Sequence, residues 1–316
     1  MNSRKSWVAG HSHGRRSFPW SLVVGRWSLV ILGFMALVFA CGGAGGCGGT
    51  ITRTYYHNPS WLPNGKIICT KYVNVSTQPD MIGASRDVSN AYYLTTMNDD
   101  GTGEENIKEI DSSASGGEIA ASPDGRYIAV AATTSIRVFN SDFSDYSIIT
   151  PEGNSLIEHL DFSPTSEGYK IVYTNYNNEL RLTDINASFN NLLTTSAEGV
   201  AWRVGEKIVF EGLVDGLYTY LFIINNTGDS KTKLDVSGLY PQNMSSQFVI
   251  YRGTETSIEK FSLLTSSETT VIDDYSQTTL KLSFGESKIA GGVLNSGSIN
   301  NIYVTDISTG ATTQLR

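Results

Sequence analysis

The chain has little of what metalloenzymes, hydrolases and nucleic-acid-binding proteins are built from. It contains three cysteines and four histidines in 316 residues, and two of the histidines fall within the first forty positions. Only His57 and His159 remain for the body, about a hundred positions apart. No H-E-x-x-H and no C-x-x-C occurs, so a zinc site has few ligands to draw on, and neither a metal nor another cofactor is expected. Beyond residue 40 no G-x-S-x-G occurs, which removes the strained serine elbow of nucleophilic catalysis from the body. Positive charge is scarce as well. Arg4, Lys5, Arg15, Arg16 and Arg26 precede position 41 with no acidic residue among them, which leaves 18 Lys and Arg against 31 Asp and Glu, a net of about −13. Such a body repels phosphate backbones, and nucleic acid is not an expected partner. Beyond residue 50 no amphipathic helical period of useful length is present.

What is there begins with the uncharged run Trp27 to Ala40, WSLVILGFMALVFA. As a helix rising ~1.5 Å per residue it would extend roughly 21 Å, short of the ~30 Å hydrocarbon core a membrane span must cross. A basic leader, a short apolar core and then small residues describe an export signal over residues 1–40. The glycines between Gly42 and Gly49 read as a flexible tether over residues 41–50.

Val38-Phe39-Ala40-Cys41 resembles the lipobox of bacterial lipoprotein signal peptides, with Phe39 bulkier than that motif usually has. The resemblance implies that Cys41 becomes an acylated N-terminus. Two or three acyl chains then anchor the protein stably at a membrane, where one would hold only marginally. It places the protein in the bacterial cell envelope, the outer membrane favoured over the inner because Gly42 rather than aspartate follows Cys41. Plain secretion after Ala40 and an uncleaved anchor stay open as alternatives. Arg15-Arg16-Ser17-Phe18 also resembles the twin-arginine export motif, although Pro19 and Trp20 depart from it.

Beyond the tether one unit repeats six times. Its clearest copy is Ser122-Pro123-Asp124-Gly125-Arg126-Tyr127 leading into Ile128 to Ala132. Pro123 presets the first turn position and Gly125 supplies a positive φ, so the chain reverses tightly between two strands. Taking Trp61, Ala121, Phe162, Trp202, Met244 and Leu282 as equivalents, the copies recur about every forty residues except for a longer first step. Each continues into an alternating strand such as Ile136 to Phe139 or Ile302 to Thr305 and a short fourth strand such as Thr312 to Leu315. A period near forty with short strands points to an all-β, six-bladed propeller of four-stranded blades over residues 51–316. Ile51 to Tyr56 either closes the ring beside the last blade or opens blade one.

These repeats resemble the TolB-type, WD-like propeller repeat of bacterial envelope proteins, in the W-S-P-D-G-K turn and in Ile302-Tyr303-Val304-Thr305-Asp306-Ile307 followed by Gln314-Leu315. The match covers about residues 51–316 and is degenerate in blades four and five. The chain departs from TolB itself, which carries a separate α/β domain before its propeller. The resemblance implies a class, an envelope protein, and no named partner.

Two sets of residues are singled out for function. The long first step places a polar stretch from Asn74 to Asn90 between two strands of blade one, read as a rim loop able to bind through Asn74, Asp80, Arg86 and Asp87. Glu158, His159 and Asp161 fall on the innermost strand of blade three, where side chains can face the central channel. The leading expectation is a monomeric, lipid-anchored, non-catalytic scaffold that binds an envelope protein or peptide. The alternative is an enzyme or small-molecule binder with its pocket at the channel. Asn98 to Glu105 has oxygens enough for calcium but lacks the EF-hand spacing and reads as a turn. Cys69, beside Ile67 and Ile68 in a strand, reads as a buried thiol, with a disulfide to Cys47 as the alternative.

Overall fold

The computed structural model describes residues 50–77, 86–114, 117–151, 155–164, 168–202, 205–214, 218–245, 247–253, 256–273, 275, 277, 279–295 and 298–315. The export signal, Cys41, Cys47, the tether up to residue 49, and Asp80 lie outside them. The described residues form six four-stranded antiparallel sheets, each of consecutive strands. Blade one contains β1 (Thr50–Trp61), β2 (Ile67–Thr77), β3 (Arg86–Met97) and β4 (Glu105–Ile110). Blade two is β5 (Ile119–Ala121), β6 (Tyr127–Ala132), β7 (Ser135–Asn140) and β8 (Tyr146–Ile149). Blade three is β9 (Ile157–Phe162), β10 (Lys170–Asn175), β11 (Glu179–Asp184) and β12 (Asn190–Thr195). Blade four is β13 (Ala197–Ala201), β14 (Lys207–Val214), β15 (Tyr218–Asn225) and β16 (Thr232–Lys233). Blade five is β17 (Leu239–Ser245), β18 (Phe248–Arg252), β19 (Ile258–Ser262) and β20 (Glu268–Ile272). Blade six is β21 (Lys281–Leu282), β22 (Lys288–Asn295), β23 (Ser298–Asp306) and β24 (Thr312–Gln314).

The repeat turn does what its residues predict. In blade two Gly125 N donates to Ser122 O at 2.9 Å with φ +71°, and the Ser122 hydroxyl donates to Asp124 Oδ1 at 2.8 Å. Blade one repeats the turn with Gly65 N on Leu62 O at 3.0 Å and φ +81°. The Asn98 to Glu105 run is a turn between β3 and β4, closed by Thr102 N and Oγ1 on Asp100 Oδ1.

Six apolar clusters, one per blade junction, hold the disc together. Each joins one face of a blade to the facing side of the next, because residues two apart on a strand point the same way: Ile128 and Val130 pack toward blade one, Ala129 and Ala131 toward blade three. Ile68 and Leu94 of blade one meet Ile119 and Phe139 of blade two. Ala129 meets Leu160 and Tyr173, and Val172 meets Trp202 and Phe210. Val209 meets Val249 and Tyr251, and Ile250 meets Leu282 and Ile289. The sixth cluster joins Ala290, Ile302, Val304 and Leu315 of blade six to Tyr56, Trp61, Cys69 and Met97 of blade one.

That last junction decides how the ring closes. β1 is the innermost strand of blade one, so closure comes from side-chain packing and from Trp61 Nε1 donating to Lys281 O at 3.0 Å, with no strand shared between blades one and six. Cys69 is a free thiol, fully buried in this cluster, and burial pushes its pKa far up.

Two expectations are corrected. Within the stretch from Asn74 to Asn90, residues 74–77 and 86–90 are strand rather than loop, with β2 and β3 paired out to Thr77 opposite Arg86 and β1 following to Thr50, while residues 78–85 lie outside the described residues. Asn74 lies in β2 and its amide donates to Asn90 Oδ1 at 2.8 Å, while Arg86 and Asp87 lie in β3. The physical reason is a cross-strand aromatic ladder, Tyr55 on Tyr72 at 5.7 Å and Tyr72 on Tyr92 at 4.8 Å, which supports strand beyond the height of the disc. In blade five, Asn243 rather than Met244 stands opposite Val249, because a bulge between Asn243 and Ser245 shifts the register by one.

Candidate functional site

The alternation of the innermost strands places alternate side chains at the centre of the ring. Trp61, Phe162, Trp202 and Leu282 are core, so the residues one and three positions before them face inward. One position back stand Ser60, Asp161 and Lys281, with Gln242 taking that place in blade five. Three positions back stand Asn58, His159, Gly199 and Thr279, with Glu118 and Tyr240 as their counterparts in blades two and five. β1, β9, β13 and β17 each carry a bulge near this depth, which re-aims inner side chains.

At the end of the channel where the repeat turns lie, a funnel with a cavity volume of about 100 Å³ is lined by residues of all six blades. Phe284 supplies exposed aromatic surface beside the nearly buried Trp61 and Trp202, and Gln242, Asp161 and Lys281 supply polar groups. Below it a charged network crosses the axis. Glu118 accepts Leu160 N at 2.8 Å, pairs with Lys281 Nζ at 2.5 Å and meets His159 Nδ1 at 3.3 Å. Burial opposes ionisation of Glu118, but Lys281 and His159 outweigh it and hold the carboxyl at about 2. Burial also works against a charged His159, and Glu118 with Glu211 more than reverses it, so the imidazole sits above its ordinary value.

Glu211 belongs to β14, the second strand of blade four, and reaches inward because Gly199 leaves room. A Cβ at position 199 would overlap Glu211 Oε1. Its Oε1 accepts Tyr240 N at 2.5 Å, and Tyr240 is held at φ +51°, a conformation an aromatic residue rarely adopts. Burial pushes the Glu211 carboxyl up to about 7 against the pull of His159. Glu118, Asp161 and Glu211 therefore each accept a main-chain N–H from the innermost strand of the next blade, Asp161 through Trp202 N at 2.9 Å.

Two of the three channel residues singled out from the sequence belong to this arrangement. His159 lies in the charged network and Asp161 lines the funnel. Glu158 is the extra residue of the β9 bulge and takes no part in it. The structure adds Glu118, Glu211, Tyr240, Lys281 and Gln242, which the sequence reading does not single out. Counting back three positions from Ala121 and one from Leu282 finds Glu118 and Lys281, whereas Gln242 and Tyr240 need the corrected register of blade five and Glu211 is found by no such count. Among the described residues no three His, Cys, Asp or Glu side chains are grouped to hold a metal ion.

No family model matches the sequence, and no curated protein matches it. Among solved structures the chain is similar to an oligogalacturonate lyase in complex with manganese, with a TM-score of 0.53 and 11% identity over 85% of this chain and 81% of that one. What they share is the β-propeller. A chain of a nidogen/laminin complex is also similar, with a TM-score of 0.47 and 12% identity over 70% of this chain and 93% of that one. At such identities the likeness concerns the fold alone.

Proposed function

We propose that the protein is a lipid-anchored binding propeller of the bacterial envelope, TolB-like in its repeats and exported with its acyl group on Cys41. It acts as a monomer and takes a protein or peptide at the mouth of its channel. The observation that carries this reading is the funnel: residues of all six blades converge on one recess with aromatic and polar lining. The charges beneath it are committed to one another and to main-chain N–H groups, which suits a rigid floor better than a reacting centre. This moves the expected contact surface from the rim hairpin of blade one to the mouth. Detergent extraction and affinity capture from native envelopes, compared between the wild type and Phe284→Ala, tests it. Phe284 is 37% exposed at the mouth, so its truncation leaves the fold intact and is expected to weaken capture at least tenfold. Capture that is equal for both proteins would sink the reading.

One observation favours a second reading, an enzyme centred in the channel. A Glu211 carboxyl at about 7 beside His159 is poised for proton transfer at neutral pH. Purified protein incubated with oligogalacturonate and related polysaccharides tests it: turnover lost in Glu211→Gln would establish it, and no product from any substrate would remove it.

A further inference from the structure

The paired strands of blade one reach away from the channel mouth. β1 runs from Thr50 to Trp61 and β2 returns from Ile67 to Thr77, so that Trp61 stands opposite Ile67 at one extreme and Thr50 opposite Thr77 at the other. Trp61 lines the funnel. Thr50 therefore lies about 35 Å from the mouth, at ~3.3 Å per residue along the 12-residue strand. The second and third strands of blades two and three have 6 residues each, so this arm stands roughly 15–20 Å clear of those blades on the far side of the disc.

Thr50 is also where the chain leaves for Cys41. Nine residue steps separate positions 41 and 50, and a chain reaches at most ~3.3–3.6 Å per residue, about 32 Å in all. With Cys41 held in a bilayer, Thr50 stays within that distance of the lipid. A connection stretched to its limit back along β1 would still end short of the mouth.

Charge follows the same axis. Strands alternate in direction, which puts the turns between third and fourth strands at the mouth's end of the disc. Those turns carry Asp99, Asp100, Glu104, Asp142, Asp145 and Asp229 against one cation, Lys231. In the arm, residues 50–55 and 72–77 carry Arg53 and no carboxylate. A leaflet of anionic lipid repels the first end and not the second.

We propose that the arm end of the disc faces the anchoring bilayer and that the channel mouth is turned away from it, toward a partner that arrives through the aqueous phase rather than one buried in the same membrane. This rests on the acylation of Cys41, and it makes the arm a stand-off between lipid and disc.

Energy transfer from a protein-borne fluorophore to rhodamine-labelled lipid tests it. Single donors are attached through Thr52→Cys in the arm, Tyr176→Cys between β10 and β11 at the arm's end of the disc, and Leu264→Cys between β19 and β20 at the mouth's end. All three positions are exposed, Cys69 is buried away from the reagent, and Cys47→Ser removes the other thiol. The detergent-extracted full-length protein is reconstituted into vesicles of phosphatidylethanolamine and phosphatidylglycerol. Transfer is expected to fall in the order 52, 176, 264, by about twofold or more across the ~35 Å between the two ends. Transfer at 264 equal to or above that at 52, in protein that floats with the vesicles, would overturn the orientation and leave the anchor standing. A chain that carries no acyl mass at Cys41 and stays free of the vesicles would overturn both.

Discussion

Replacing Glu118 by glutamine removes the one charge that three blades share. Lys281, whose side chain is 13% exposed, loses its 2.5 Å partner, and His159 loses the carboxylate at 3.3 Å. The wild-type carboxyl is held at about 2 against an ordinary 4.5, a preference for the charged folded form of about 3 kcal/mol at ~1.4 kcal/mol per pH unit. Breaking a buried pair by removing one partner costs about 3–5 kcal/mol, the same range. For a unit of this size that lowers the melting temperature by about 6–20 °C. Because the folded pKa is depressed, the stability is fully present above pH 4.5 and is lost as pH falls toward 2. Thermal melts of wild type and Glu118→Gln from pH 2 to 8 should therefore diverge most above pH 4.5 and draw together below it. A gap under about 0.5 kcal/mol at pH 7, the size expected of an exposed pair, would refute the reasoning. So would a gap of constant size across the range.

Glu211 acts with the opposite sign: its folded pKa of about 7 lies above 4.5, so its contribution is present below pH 4.5 and fades as pH rises through 7, and Glu211→Gln should flatten that part of the melting profile. Gly199→Ala forces a Cβ into Glu211 Oε1, which should cost about 1–3 kcal/mol and shift the Glu211 titration, read by carboxyl NMR. Cys69, with no exposed surface, should resist iodoacetamide until the urea transition, a slow component missing from Cys69→Ala.

The fold is readable in the sequence because the turn chemistry repeats. Pro123, Asp124 and Gly125 announce a reversal whose geometry is local, and the apolar run after each turn marks a strand covered on both faces. The site is only partly readable, since a channel is assembled from residues about forty or more apart whose neighbours are set by the ring. His159 stands out because histidine is rare here, whereas Lys281 and Glu118 look like surface charges in the sequence. Glu211 escapes any counting, because it reaches the channel from a second strand through the gap at Gly199. The hairpin of blade one reads as loop because of its polar threonines and asparagines, and the tyrosine ladder that holds it as strand emerges only with the register.

Site-specific photo-crosslinking in intact cells tests the central claim most directly. A benzophenone amino acid placed at Phe284, at the channel mouth, should form a discrete adduct with the partner, and the same group at Leu264, 71% exposed in the turn between β19 and β20, should form none. Adducts at 264 or on the blade-one hairpin, with none at 284, would contradict the account.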